Sequence, residues 1–281
     1  VFEECRKKFW NLVKANPIRA TRIYKSQNVS GDDIITSHNC QNCFQLEGCE
    51  NLRYVAFAIV KLKDSMDIGF SGGAEKEYDC QNTGNQSSNI KFSYAVKESF
   101  DCEYLMSCRN CQNCFGCVGL KNASYCIFNK KYSPEEYWQV LDEVKTKMLE
   151  GGIYGEFFPM SFSPYPYNSS FAHIIYPMTQ TEARSRGLYW QEDLDVDTKG
   201  LKTILVNELP DNINNVTEEV CNLVVIGEES KKPFKITSRE IDFYKQNKIP
   251  LPIDTPQQRI LDRFKILNNF QIYQENCGSC E

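Results

Sequence analysis

The chain is short of histidine. His38 and His173 are the only two in 281 residues, so a His-based catalytic set has few candidates, because general-base and nucleophile chemistry needs a partner beside the imidazole. His173, in "FAHIIYP", has no such neighbour and is expected to serve packing. Long apolar runs are also missing. No segment approaches the length of a membrane span, and the opening "VFEECRKKFW" lacks the basic, apolar, then small-residue order of a signal peptide. A net charge of -5 and a pI near 5.4 argue against a broad basic face that tracks phosphates. The start at Val1 and the stop at "ENCGSCE" lead us to expect that both ends are cut.

Cysteine is abundant instead. Eleven of the fourteen lie before residue 127, and no export signal accompanies them, so a reduced compartment is expected. There the choices are metal thiolates, redox thiols, or small buried side chains that pack as weak hydrophobes. The hexapeptide "NCQNCF" occurs at Asn39–Phe44 and again at Asn110–Phe115. Around it, Asn39–Tyr54 aligns without gaps on Asn110–Tyr125, with identity at Cys40/Cys111, Cys43/Cys114, Gly48/Gly119, Asn51/Asn122 and Tyr54/Tyr125 among others. Weaker echoes such as "DCQNTGNQSSNIKFSYAV" lie between the copies.

Self-similarity with short strands, polar turns and small residues marks a solenoid. The expected fold is mainly β with added helices: a right-handed β-helix followed by a small α+β C-terminal module. Asparagines are expected to stack as ladders at the corners. Cysteine, serine and alanine are expected to fill an interior too narrow for leucine, with the Asn-Cys dipeptides as stacking positions.

Sharper chemistry competes with that reading. Cys108, Cys111, Cys114 and Cys117 have the C-x2-C-x2-C spacing that opens an iron–sulfur motif, but the fourth cysteine comes one residue early and no proline follows. As zinc ligands they leave almost no loop between two knuckles. A carbohydrate-active enzyme would need paired carboxylates on one face. Glu75, Glu77, Asp79, Asp101 and Glu103 are available, yet spacing selects no pair.

After the repeats the chain changes character. "YSPEEYWQVLDEVKTKMLEGG" predicts a helix with Ser133 as N-cap, Pro134 at its first position, Glu136 closing a capping box, and Tyr137, Val140, Leu141, Val144 and Met148 on one face. Its expected task is to cover an end or flank of the solenoid. Phe2–Val13 is expected to be a second helix capping the other end. "YGEFFPMSFSPYPYNSSFAHIIYP" reads as an ordered linker or extended arm, and "TQTEARSRG" as a short helix capped by Thr179 and Glu182. "DLDVDTKG" at Asp193–Gly200 has a weak likeness to a calcium loop, but the glycine sits too late and the bidentate glutamate is missing. Further on come a hairpin-like "KPFKI", helices around Ser238–Gln246 and Pro256–Leu267, and a terminal C-x2-C at Cys277 and Cys280, which is half a zinc site. Arg239, Lys245, Lys248, Arg259, Arg263 and Lys265 make this region the most basic, a nucleic-acid surface or a solvated face.

The stretches "CQNCFGCVGLKNASYCIFNKKYSPEEY", "YGEFFPMSFSPYPYNSSFAHIIYPMTQTEARSRGLYW" and "KPFKITSREIDFYKQNKIPLPIDTPQQRILDRF" resemble an uncharacterised family of cysteine-rich proteins from candidate-phyla bacteria and from large phages and DNA viruses. The resemblance covers most of the chain. It implies a zinc ribbon or treble clef that takes in Cys277 and Cys280. Where relatives tend to carry a cysteine near "GKPF", this chain has Gly227 and Ser230.

The expected organisation is a helical cap and lead-in over 1–36, a solenoid over 37–132, a capping helix and Pro/aromatic arm over 133–187, and an α+β module over 188–281. The expected function is a non-enzymatic structural or interaction protein, cytoplasmic or part of a virion, engaging a protein partner and no membrane. The alternative is a zinc-dependent nucleic-acid-binding protein or enzyme acting through the C-terminal module and its basic helix. No catalytic residue is nominated. The metal candidates are Cys277 and Cys280, then Cys108, Cys111, Cys114 and Cys117, with zinc as the cofactor.

Overall fold

A computed structural model describes residues 2–16, 19, 21–163, 165–192, 198–265 and 270. After helix α1 (Phe2–Ala15), eleven strands form one sheet in chain order: β1 (Ile23–Tyr24), β2 (Gln27–Ile35), β3 (His38–Glu47), β4 (Glu50–Ile59), β5 (Lys63–Ser71), β6 (Glu75–Gln81), β7 (Ser88–Tyr94), β8 (Phe100–Glu103), β9 (Arg109–Phe115), β10 (Lys121–Ile127) and β11 (Lys130–Lys131). All neighbours pair parallel except β10 with β11. Each strand therefore stacks on the next rung of a coil, and the chain makes a β-solenoid of about nine turns over residues 23–127. The coils begin before the expected position 37, because Ile34 and Ser37 already obey the burial pattern of the cysteine-rich part.

That pattern has a period of three. Cys40, Cys43, Leu46, Cys49, Leu52, Val55 and Ala58 are all buried, and the residue before each inward position has a positive φ: Asn39, Asn42, Gln45, Gly48, Asn51, Tyr54 and Phe57. Each side of the coil thus holds one inward residue, and each corner is a single left-handed residue. Four sides close a turn, so registers advance by twelve residues, as from His38 to Glu50. A second left-handed residue at Lys61, after Val60, and at Gln86, after Asn85, lengthens two turns by one.

Left-handed backbone costs about 1 kcal/mol or more for most L-residues, and Asn and Asp tolerate it best. This explains the asparagine content. At one corner the amides also form a ladder: Asn28 donates to Asn39 (2.9 Å), Asn39 to Asn51 (3.1 Å) and Asn51 to Asp64 (2.8 Å). Where the corner residue is aromatic, ring contacts offset the strain, as in Phe57 on Phe70 (centroids 4.2 Å) and Phe92 on Tyr104 (4.9 Å).

The expected exclusion of leucine from the interior is wrong. Leu46, Leu52, Leu62 and Leu105 are fully buried. Space for each comes from a small neighbour one rung away: Ala58 after Leu46, Ser65 after Leu52, Ala74 after Leu62, Ser93 before Leu105. Volume is balanced along a column of rungs, and each buried Leu or Ile is worth about 1.5–3 kcal/mol.

Helix α2 (Pro134–Glu150) has the expected capping box at Ser133 and Glu136. Tyr137, Leu141, Val140, Val144 and Met148 cover Phe92, Tyr104, Phe115 and Ile127, so it lies on the flank of the later coils. Phe157 and Phe158 join the same cluster. Helix α1 is as expected in extent, but its apolar side chains Phe9 and Leu12 are exposed.

The chain divides into two compact units. One holds the chain up to Pro159 together with Phe270, the other Met160–Asn269. The boundary falls inside the Pro/aromatic stretch, whose second part contains helix α3 (Phe171–Ile175) and is not an extended arm, because Tyr167 is buried with Ala183 and Leu188. The second unit continues with α4 (Gln180–Ser185), β12 (Thr203–Leu205), β13 (Val224–Ile226), β14 (Pro233–Phe234), α5 (Ser238–Asn247) and α6 (Pro256–Phe264). Its three strands form a small sheet. Val225, Ile236 and Ile241 centre its core. Among the described residues, no helix is long and apolar enough to cross a membrane.

Candidate functional site

The period of three explains the C-x2-C spacing. Cys108, Cys111, Cys114 and Cys117 are consecutive inward residues on four successive sides of the coil, each buried. A C-x2-C here is the inward residues of two successive sides. The thiols donate to backbone carbonyls two residues back, Cys108 to Met106 (3.4 Å), Cys111 to Arg109 (3.5 Å), Cys114 to Gln112 (3.4 Å) and Cys117 to Phe115 (3.3 Å). Ser65, Ser93 and Ser99 donate in the same way at 2.6–2.8 Å. Cysteine and serine thus share one task, a small inward group that satisfies a carbonyl of its own coil.

Burial pushes the thiols up, Cys40 and Cys108 to about 11 and Cys43 to about 12. Cys114 and Cys117 are also raised, first by hydrogen bonds with Cys102 and with Cys114 respectively. These are protonated, inert groups at neutral pH. No group of three or more His, Cys, Asp or Glu among the described residues is placed to hold a metal ion. Cys277, Cys280 and Asp193–Asp197 of the calcium-like turn lie outside the described residues.

The two copies of "NCQNCF" are not stacked in phase. The column that starts with Cys40 continues through Leu52, Ser65, Glu77, Ile90 and Cys102 to Cys114, the second cysteine of the second copy. Cys111 belongs to the column of Ser37, Ser87 and Ser99. The repeating unit is the three-residue side, and the hexapeptide is two sides placed on different faces.

The carboxylates are dispersed. Glu103 is held by Lys145 (3.0 Å), Lys91 (3.4 Å) and the Tyr154 hydroxyl (3.0 Å), which fixes α2 and the following turn to the solenoid. Asp101 accepts from Asn89, and Glu75 from Ser88. The register instead sets Asp67 and Asp79 on adjacent rungs of one corner, where burial raises both and mutual repulsion raises Asp79 further. A search for carboxylates twelve apart would have found this pair.

Glu77 faces the interior, 1% exposed. Ser71 (2.6 Å) and Thr83 (2.9 Å) both donate to its Oε2, while Oε1 has no hydrogen-bond partner. Burial raises this carboxyl. Ser71 and Thr83 also line an open groove of about 630 Å³, with Gln45, Phe57, Ile59, Val60, Phe70, Gly72, Gly73, Asn82, Asn85, Gln86 and Lys97. The groove follows from coil lengths: the turn at Gly72-Gly73 has no extra residue, and it lies between the two lengthened turns at Val60-Lys61 and Asn85-Gln86. A Cβ on Gly72 would stand 2.1 Å from the Ile59 carbonyl oxygen, so the recess requires glycine. No sequence motif announced the groove; the doubled corners are its only signal.

In the second unit, the His173 ring meets Tyr167 and Trp190 edge to face, consistent with packing. At Gly227–Ser230, where the resembled family tends to carry a cysteine and this chain does not, Asp254 accepts from the Ser230 hydroxyl and from the backbone N–H groups of Glu229 (2.6 Å), Ser230 (3.1 Å) and Thr255 (2.8 Å). An oxygen clip closes the turn. Lys265, one of the basic-helix cations, is paired with Glu229 and Asp262. No protein-family model matches the chain, and no curated protein matches it.

Proposed function

We propose that this is a non-enzymatic scaffold or interaction protein, whose solenoid serves as a rigid strand-rich part of a larger assembly such as a virion. The observation that carries the reading is where the reactive groups go. The repeat's thiols are inside the coils and held protonated, while the outside carries an amide ladder and the Phe57–Phe70 stack, groups suited to surface recognition. The resemblance to proteins of large phages and DNA viruses supports the same assignment.

The test is elemental analysis of protein purified without chelator, together with thiol counts before and after denaturation. Exposed Cys5 and half-buried Cys221 are expected to react in the native state, and the solenoid thiols only after unfolding. More than one zinc per chain, or iron with sulfide, would overturn the scaffold reading. Zinc confined to Cys277 and Cys280, with salt-sensitive binding of nucleic acid, would move the function to the C-terminal module.

A further inference from the structure

Two stacked aromatic pairs occupy left-handed corners on successive rungs. Phe92 lies on Tyr104 (4.9 Å) and Phe57 on Phe70 (4.2 Å, planes 9° apart), all four at positive φ. Asparagine holds such a backbone with less strain, so rings at these corners call for compensating contacts. For the first pair they come from later in the chain. Tyr154 meets Phe92 edge to face at 5.8 Å, and Phe158 meets Tyr104 in the same way at 6.2 Å.

Phe270 does the same for the second pair. Its ring lies edge to face with Phe57 (4.8 Å, planes at 82°) and tilted against Phe44 (5.7 Å). Phe44 pairs with Ala56, the residue before Phe57, so Phe270 bridges two rungs. It is half-buried there and belongs to the same compact unit as the solenoid, although the whole of Met160–Asn269 lies between them in sequence. Ring contacts of this kind are weak singly, but within one chain the anchor is always at high effective concentration.

We propose that Phe44, Phe57 and Phe70 form a docking surface for an aromatic anchor, and that its occupant is the chain's own C-terminal segment, held through Phe270. A partner that uses this row has to displace Phe270. The assignment is independent of the scaffold reading, since both sides of the contact are in one chain.

The test places p-benzoylphenylalanine at position 270 of the full chain and maps the photo-crosslinks by peptide mass spectrometry. Crosslinks within one chain, to the strands that hold Phe44 and Phe57, are expected. Phe57→Asn, which removes the ring and keeps a residue tolerant of the left-handed corner, should lower their yield about fivefold. Because benzophenone is bulkier than phenylalanine, p-fluorophenylalanine at position 270 gives a second reading. Its fluorine resonance should stand apart from the unfolded-chain position through ring currents, and move back towards it in Phe57→Asn. Thermal unfolding and circular dichroism establish that each variant keeps the fold. Crosslinks between copies would make a second chain the occupant and overturn the assignment. So would crosslinks that avoid the row, a fluorine resonance at the unfolded-chain position, or readings indifferent to Phe57→Asn.

Discussion

The solenoid and the Met160–Asn269 unit solve the problem of burial differently. In the solenoid every third residue points inward and each touches mainly its own rung and the next, so stability is close to a sum of nearest-neighbour contributions. In the second unit Ile213, Val225, Ile236, Ile241 and Leu251 come together from distant parts of the chain around three short strands. One region is built from a local rule repeated, the other from long-range coincidence. The first should yield rung by rung, the second all at once.

The largest test of that difference is Gly31→Ala. Gly31 has φ +134°, and a Cβ there would overlap the Cys43 backbone. A loss of about 4 kcal/mol or more is expected, with hydrogen exchange rising first in the neighbouring rungs and the second unit unaffected. Ile241→Ala should cost ~2–5 kcal/mol and melt the second unit cooperatively while the solenoid thiols stay hidden from reagent. A graded loss there would break the comparison.

The two regions should also fail at opposite ends of the pH scale. The solenoid thiols are raised, so their contribution is complete below the ordinary thiol value of ~8.5 and is lost as pH climbs towards about 11 at Cys40 and about 12 at Cys43. Glu77 acts in the same direction from ~4.3 upward. Although burial alone would raise Asp254, its bonds from Ser230, Glu229 and Thr255 hold it below the usual carboxylate range. Its contribution is complete above ~3.9 and is lost as pH falls through the depressed value. Amide exchange followed separately in each unit should show an alkaline limb for the solenoid and an acid limb for the second unit. Asp254→Asn should flatten the acid limb and cost ~2 kcal/mol at neutral pH.

Smaller effects belong to the surface. Asn39→Ala removes two ladder bonds and places alanine in the left-handed region, for a loss of ~1–2 kcal/mol by chemical denaturation. Asn39→Gly should recover part of this by relieving the backbone. Cutting the exposed Arg109–Glu98 pair is expected to leave the denaturation midpoint almost unchanged, because water and salt screen the two charges.

The same contrast decides what the sequence discloses. "NCQNCF" reveals a repeat because corner asparagines and inward cysteines sit beside each other in every side. The true period of three was hidden where serine, leucine or glutamate took the inward place, since those residues share size limits and not chemistry. Capping boxes at Ser133 and Thr179 were legible as local chemistry, and the one at Thr237 was not read from the sequence. The Asp254 clip was not, because its partners lie far apart in sequence and meet only through packing. The groove was equally hidden, since it depends on which turns carry an extra residue and not on which residues are there.

Closure after four three-residue sides makes chain length a quantised property. Adding or deleting twelve residues inserts or removes a rung and leaves every other residue on its own face, whereas adding one residue raises a local bulge, as at Val60-Lys61 and Asn85-Gln86. Because α2 is seated on Phe92, Tyr104, Phe115 and Ile127, rungs earlier in the chain can be gained or lost by tandem duplication without disturbing it. The span of this molecule is therefore a variable that evolution, or an engineer, can set in steps of one strand spacing.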